Sequence, residues 1–347
     1  MRIAAHPSGA QRATAAWPAG LAAACIAVVA AGIYLCLSIF EALEPTDRAE
    51  LPWETGSGTA ANAHPDADAA APGGEVRAGD SGAPAIAPVG GVPSVPSPLL
   101  ADRIRDAAGA DADHIAVSVR RVTDGLSASY EGNVQYYAAS TFKLAVLYEA
   151  TIRLSDGRLN LDDKLTMSDE DAAEDLGTSA FLHFEEDGSI TVRNLLTPMI
   201  EVSDNSSAVT LMHAFGSANI DATLRSIGIE TMTVNREELW TTADDLSRLM
   251  LAIYTGEGMT PEVREFARGL LLNQTIRSGI PQALAGEIAG GLHVGNKTGT
   301  WEGAQHDVAF VEDPAGAYVI AILTDGSYEG WQAMHRVAQS VQQTLAN

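Results

Sequence analysis

Apolar and polar positions divide the chain into three stretches of different character. Residues 19–40 run without a charge and are rich in Ala, Val, Ile and Leu, close to the ~20 residues a helix needs to cross a bilayer. Residues 41–97 hold eight prolines, eight glycines and thirteen alanines, with few large apolar side chains. Such a stretch buries too little surface to offset the entropy of ordering it. Regular periods begin at residue 98. Leu99, Leu100 and Ile104, with Ala107 or Ala108, mark one side of a helix over 98–108. Residues 115–119 read as a strand, Asp124-Gly125 as a hairpin turn, and 126–130 as the partner strand. A helix is predicted over 139–154, with Leu144, Leu147, Tyr148 and Thr151 at helical spacing. Helical patterns dominate from 192 to about 286. Strands return at 293–300, 306–312 and 318–324, the last two joined by Asp313-Pro314-Ala315-Gly316, and a helix closes the chain over 330–345. Two strands, a helical block, three strands and a helix read as α+β, without an internal repeat.

Charge sharpens this division. The formal net charge of −24 splits into +2 over residues 1–40, −7 over 41–97 and −19 over the remainder. Arg2 and Arg12 precede the apolar run, and Glu41, Glu44 and Asp47 follow it. That bias orients a spanning helix with its N-terminus in the cytoplasm. The expected organisation is a cytoplasmic segment (1–18), a transmembrane anchor (19–40), a disordered linker (41–97) and a folded domain (98–347). The chain would then be single-pass in the cell membrane, its domain extracytoplasmic. A cleaved signal peptide is the rival reading, but its apolar core is typically shorter, ~7–15 residues, and no small-x-small site directly follows Phe40. So acidic a domain is a poor nucleic-acid binder. Both cysteines, Cys25 and Cys36, lie in the apolar run, so the domain can form no disulfide. The eight histidines form no zinc motif. Asp169-Glu170-Asp171 and Glu174-Asp175 lack calcium-loop spacing and read as a solvated acidic face. No metal or cofactor is expected.

Only three lysines occur, and two of them sit in short motifs. Ser140-Thr141-Phe142-Lys143 is the chain's one Ser-x-x-Lys. A serine hydroxyl needs an adjacent base to become a nucleophile. Three residues apart on a helix, Ser140 and Lys143 share a face. Ser140 would begin that helix, where the positive dipole end favours developing negative charge. Lys143 serves as base where burial, or Lys297 nearby, lowers its pKa. Ser203-Asp204-Asn205 follows an apolar run and on its own is a turn or helix cap. Lys297-Thr298-Gly299 falls on the strand predicted over 293–300. There Lys297 and Thr298 suit a carboxylate, and Gly299 would let a ligand backbone lie against the strand.

Together, in this order, the three motifs resemble the signature of penicillin-recognising active-site-serine enzymes, the class A β-lactamases and their penicillin-binding relatives. The resemblance extends over about residues 98–347. It implies a five-stranded antiparallel sheet flanked by the terminal helices, with an all-helical subdomain inserted between strands two and three. It also implies Ser140 as nucleophile, Lys143 as base, Ser203 as the relay to the leaving nitrogen and Asn205 on the acylamino side chain. Lys297 and Thr298 would hold the substrate carboxylate, with the substrate backbone lying along Gly299, and the backbone N–H groups of Ser140 and Thr300 would form the oxyanion hole. The substrate would be a β-lactam or a peptidoglycan peptide ending in D-alanine, and a monomer is expected.

One departure matters. The family deacylates with a glutamate on a long loop, whereas only about a dozen residues separate Ser226-Ile227-Gly228 from Thr241-Thr242 here. Glu237 and Glu238 are the candidates in that stretch, and Thr242 with Asp245 has a capping-box pattern. Three functions stay open: a β-lactamase, a penicillin-binding D,D-peptidase with slow deacylation, and a non-catalytic wall-binding or sensor module.

Overall fold

The computed structural model describes residues 93–234, 239–325 and 330–346. The expected anchor, most of the expected linker, Glu237 and Glu238 lie outside the described residues. Among those described, no helix is long and apolar enough to cross a membrane.

A two-residue strand β1 (Val95–Pro96) leads into helix α1 (Pro98–Ala108), and β2 (Ile115–Arg121) forms a hairpin with β3 (Leu126–Tyr130). The short strand β4 (Tyr136–Tyr137) enters a helical block of α2 (Lys143–Ser155), α3 (Asp169–Ala172), α4 (Val192–Glu201), α5 (Asn205–Phe215) and α6 (Ser217–Ser226). Inside that block β5 (Lys164–Leu165) pairs with β6 (Ile190–Thr191). Next come β7 (Trp240–Thr241), which pairs with β4, and the helices α7 (Ala243–Thr255) and α8 (Pro261–Leu272). Short helices α9 (Ile280–Ala283) and α10 (Ala285–Ala289) precede β8 (His293–Trp301), β9 (Ala304–Glu312), β10 (Tyr318–Thr324) and helix α11 (Gly330–Leu345).

Side-chain alternation along the strands fixes the layers. On β10, Val319, Ala321 and Leu323 join one core, while Tyr318, Ile320 and Ile322 join the other. On β9, Val308 and Phe310 face the first core and Ala309 and Val311 the second. The first core is completed by the helical block, through Leu144, Leu147, Leu211, Leu246 and Met250 among others. The second is closed by Leu100 and Ile104 of α1 and by Met334, Val337 and Val341 of α11. Each such side chain, fully buried, contributes ~1.5–3 kcal/mol. The sheet runs β1-β3-β2-β10-β9-β8. The five longer strands are antiparallel, as expected, with the helical block inserted between the second and third of them. The sixth, β1, pairs parallel with β3 at the edge. The sheet therefore takes in two residues of the stretch read as linker, and Ser97 caps α1 by accepting the Leu100 N–H.

His306 of β9 ties this sheet to the helical block. It is fully buried, its Nε2–H donates to the Tyr137 carbonyl at 2.9 Å, and its Nδ1 accepts the Thr324 N–H at 3.2 Å. With one nitrogen donating and the other accepting, the ring is held neutral. Burial pushes its pKa down to about 4 from 6.5. As pH falls the unfolded chain therefore takes up this proton first. The stability that His306 contributes is whole above about pH 6.5 and drains away towards pH 4, a loss of about 3 kcal/mol. Denaturant unfolding of wild type and His306→Gln at pH 7 and 4.5 should show their stability difference shrinking by about 2–3 kcal/mol. A difference that stays constant with pH would mean that the histidine titrates alike in both states.

Candidate active site

Ser140 does not open the α-helix as expected. Residues Ala139–Phe142 form a turn of 3-10 helix, and α2 starts at Lys143. In a 3-10 turn, side chains three apart eclipse one another, which brings Lys143 Nζ to 3.3 Å from Ser140 Oγ. The residue before Ser140, Ala139, has φ +44, a left-handed conformation that a side chain tolerates poorly. Gly299 of β8 explains how this turn is seated. A Cβ there would lie 2.9 Å from Thr141 Cγ2 and 3.0 Å from the Ala138 carbonyl oxygen. The space expected for a ligand backbone is occupied by the turn that carries Ser140. Gly299 is therefore needed for packing.

Ser203 is the second strained residue, with φ +62, a conformation costing on the order of 1–3 kcal/mol. It turns both its carbonyl, at 2.5 Å, and its hydroxyl, at 3.2 Å, towards Lys143 Nζ. Asp204 holds that geometry. Its carboxylate caps α5 by accepting the Ser207 N–H at 2.6 Å, and it takes the Thr178 hydroxyl at 2.6 Å. Asn205 Oδ1 accepts from Lys143 at 2.6 Å, and Lys297 Nζ donates to Ser203 Oγ at 2.8 Å. Three of the expected residues, Ser140, Ser203 and Asn205, thus surround the Lys143 nitrogen, and Lys297 shares Ser203 with it.

Both lysines are fully buried. Burial lowers the Lys143 pKa to about 7, against a smaller opposing pull from Asp204. Burial also pushes Lys297 well down, and the charge of Lys143 adds to this. The contacts of Lys143 suit a neutral amine. Its two short bonds go to carbonyl oxygens, which only accept, and its two long ones to hydroxyls, which can also donate. Two N–H groups can serve the carbonyls while the lone pair takes the Ser140 proton.

Ser140, Asn205 and Thr300 line a cavity of about 180 Å³, together with Glu174, Leu176 and Trp301. Thr298 is buried, and its hydroxyl accepts from Gln274 Nε2 at 3.2 Å. That bond leaves the Thr298 hydrogen free to point elsewhere. Gln274, Glu174, Leu176 and Trp301 were missed in the sequence. Only Leu176, an apolar residue in an acidic run, carried a signal. The acidic run itself is not a simple solvated face. Asp171 is buried, closes a capping box with Ser168 and accepts from Thr210 and from His213 Nδ1. Asp175 accepts the Gly177, Thr178 and Ser179 N–H groups, which shapes the wall that carries Glu174 and Leu176. Among the described residues, no group of His, Cys, Asp and Glu is placed to hold a metal.

The packing of Gly299 against the turn generates one expectation. Gly299→Ala should displace the turn by several tenths of an ångström and slow reaction at Ser140 about tenfold, since a full misplacement near 1 Å costs about a hundredfold. Rapid-mixing kinetics with a chromogenic β-lactam measures the effect. An unchanged rate would show that the turn yields without consequence.

The Beta-lactamase enzyme family model matches residues 99–345. Beta-lactamase BRO-1 of Moraxella catarrhalis is 21% identical over 220 residues, which is 60% of this chain and 69% of that protein. Among solved structures, PBP-A superposes with a TM-score of 0.65 at 23% identity, over 73% of this chain and 97% of its own. A β-lactamase from Sphaerobacter thermophilus DSM 20745 gives 0.62 at 22% identity, over 71% of this chain and 96% of its own. At such identities the superpositions show a shared fold. The family match takes in every residue of the cluster around Ser140, and the chain belongs to the β-lactamase enzyme family as a serine hydrolase.

Proposed function

We propose that this protein forms an acyl-enzyme through Ser140 with β-lactams or with cell-wall peptides ending in D-alanine, and releases it slowly. The observation that carries this reading is the buried, near-neutral Lys143 within reach of both Ser140 and Ser203. Ser140 Oγ attacks the carbonyl carbon while its proton passes to Lys143, the backbone N–H groups of Ser140 and Thr300 receiving the oxyanion. As the C–N bond breaks, Lys143 returns the proton through Ser203 to the leaving nitrogen. Lys297, bonded to Ser203, and Thr298, oriented by Gln274, face the substrate's carboxylate end. A carboxylate drawn up there would favour the charged form of Lys297. A variant of PBP-A has been solved as an acyl-enzyme complex with penicillin G, which supports the same step here.

Slow release rests on the segment between Gly228 and Thr241. Its base is drawn together where the Thr233 N–H donates to the Trp240 carbonyl. Asp221 of α6 holds it from the other side, accepting the Thr233 hydroxyl and the Val234 N–H. A base must stand within hydrogen-bond reach of a water beside the ester, and so short a segment argues against Glu237 or Glu238 doing so. The favoured reading is therefore a penicillin-binding, D,D-peptidase-like enzyme or a slow β-lactamase, tethered outside the cytoplasmic membrane by residues 19–40.

A fluorescent penicillin followed over time, with mass spectrometry of the intact protein, tests both steps. Ser140→Ala should take no label, and Lys143→Ala should label about 10²–10⁴-fold more slowly. Because the base must be unprotonated, wild-type labelling should be level above pH 8 and about tenfold slower at pH 6, following the Lys143 pKa of about 7. Labelling that is flat across this range would remove Lys143 from the role of base. Hydrolysis of the label should run at least about a thousandfold below an efficient β-lactamase, equivalent to ~4 kcal/mol of transition-state stabilisation. Glu237→Gln and Glu238→Gln should leave that rate almost unchanged. Fast hydrolysis that collapses in Glu238→Gln would instead mark an ordinary β-lactamase. For the tether, external protease on intact cells should digest the domain and leave the first 40 residues or so in the membrane. A soluble product starting soon after Phe40 would show cleavage.

A further inference from the structure

Beside the catalytic cavity lies a second and larger one, of about 520 Å³. The two share walls, since Tyr137 and Trp301 line both. Of the ten large hydrophobic side chains exposed among the described residues, Val134, Tyr137, Trp240 and Trp301 converge on this trough, the two tryptophans 44% and 51% exposed. Exposed apolar surface gathered at one place marks an interaction site. Secondary structure puts it there. Trp240 and Tyr137 face each other across the β4–β7 pair, and Trp301 ends β8 immediately after Thr300.

The charges around the trough are of one sign. Asp113, Glu302 and Asp325 line it, with neither Lys nor Arg among its described lining residues. Asp325 is shared with His114, at 2.9 Å. Glu302 has no ion-pair partner among the described residues, and φ +44 places it in the tight turn that joins β8 to β9. Aromatic faces with carboxylates at the rim attract an alkylammonium group both by cation–π contact and by charge. A neutral sugar would gain hydrogen bonds but no net charge attraction from the carboxylates, and an anionic group would be repelled.

The geometry points to a second binding region in this trough, which holds a primary ammonium group on an apolar arm of the acyl donor, as on a diamino-acid side chain of a cell-wall peptide. The inference rests on the acylation of Ser140 proposed above, because the arm must leave the reacting carbonyl past Thr300 and Trp301. It narrows the substrate class to cationic acyl donors.

Two acyl-D-alanine thioesters test it, identical except that one arm ends in an amine and the other in the N-acetylated amine. The ratio of their acylation rate constants is measured in the full chain, so that any general effect of a substitution cancels. Wild type should prefer the amine about tenfold, and the preference should fall within about twofold of unity in Glu302→Gln and in Trp240→Ala. It should also collapse in 1 M salt, where charges are screened within about 3 Å. A ratio near one in wild type, or one that survives Glu302→Gln, overturns the proposal. Calorimetric titration of Ser140→Ala with the same two compounds separates this result from the chemistry. Amine-selective binding without acylation in wild type would keep the trough and sink the proposed reaction. Acylation without selectivity in either measurement would do the reverse.

Discussion

Two lysine ammonium groups packed around one serine hydroxyl, away from water, are the constraint on which the rest of this structure depends. Lys143 and Lys297 both reach Ser203, and neither is exposed to solvent. Desolvation makes two positive charges at this separation costly, so the cluster favours proton release. An amine that has lost its proton can take one from Ser140. The cost of burying the lysines is in this sense what makes a basic amine available. Asp204 lies close enough to oppose the shift but is spent elsewhere, on the Ser207 N–H and the Thr178 hydroxyl.

Holding that cluster together takes strain, and the fold supplies the support. Ala139 and Ser203 both have positive φ, and both flank the reacting groups. Each is locked by its neighbours, the first by one distant in sequence and the second by one close to it. The turn of Ala139 is pressed against Gly299 of β8, and the residues around Ser203 are tied back to Pro198, whose carbonyl accepts from Val202 and Asp204. The sheet can serve as this rigid backing because both of its faces are buried, one by the helical block and one by the terminal helices. His306 adds a direct tie from β9 to Tyr137, two residues before Ala139.

Around this centre the surface is organised by acids that are more than solubilising charge. Asp171 and Asp175 support one wall of the cavity beside Ser140 from within, through capping and loop hydrogen bonds. Asp113, Glu302 and Asp325 stand at the rim of the neighbouring aromatic trough. The same residue type thus does two jobs, decided by whether backbone N–H groups or open space lie in front of the carboxylate.

Much of this was legible in the sequence, where the physics is local. Apolar runs over 115–119 and 318–324 and helical spacing over 330–345 reflect burial on a pleated or helical surface, so those limits fell within two residues of the structure, whereas the helix predicted from 139 begins as a 3-10 turn. The order of the three motifs pointed to the family, because their residue types and spacing are matched by local sequence. Other features depend on contacts between distant segments and left no such mark. Whether Gly299 faces a ligand or the turn of Ser140 is a question of packing between β8 and residues 138–141, more than 150 positions apart. That Asp171 is buried while Asp169 beside it is not depends on Thr210 and His213 of another helix. The meeting of Tyr137, Trp240 and Trp301 at one trough depends on a strand pair and a sheet end that only the folded chain brings together. Sequence determined which groups are available for reaction. Tertiary structure decided their protonation and their neighbours, because burial and cross-chain distance set both.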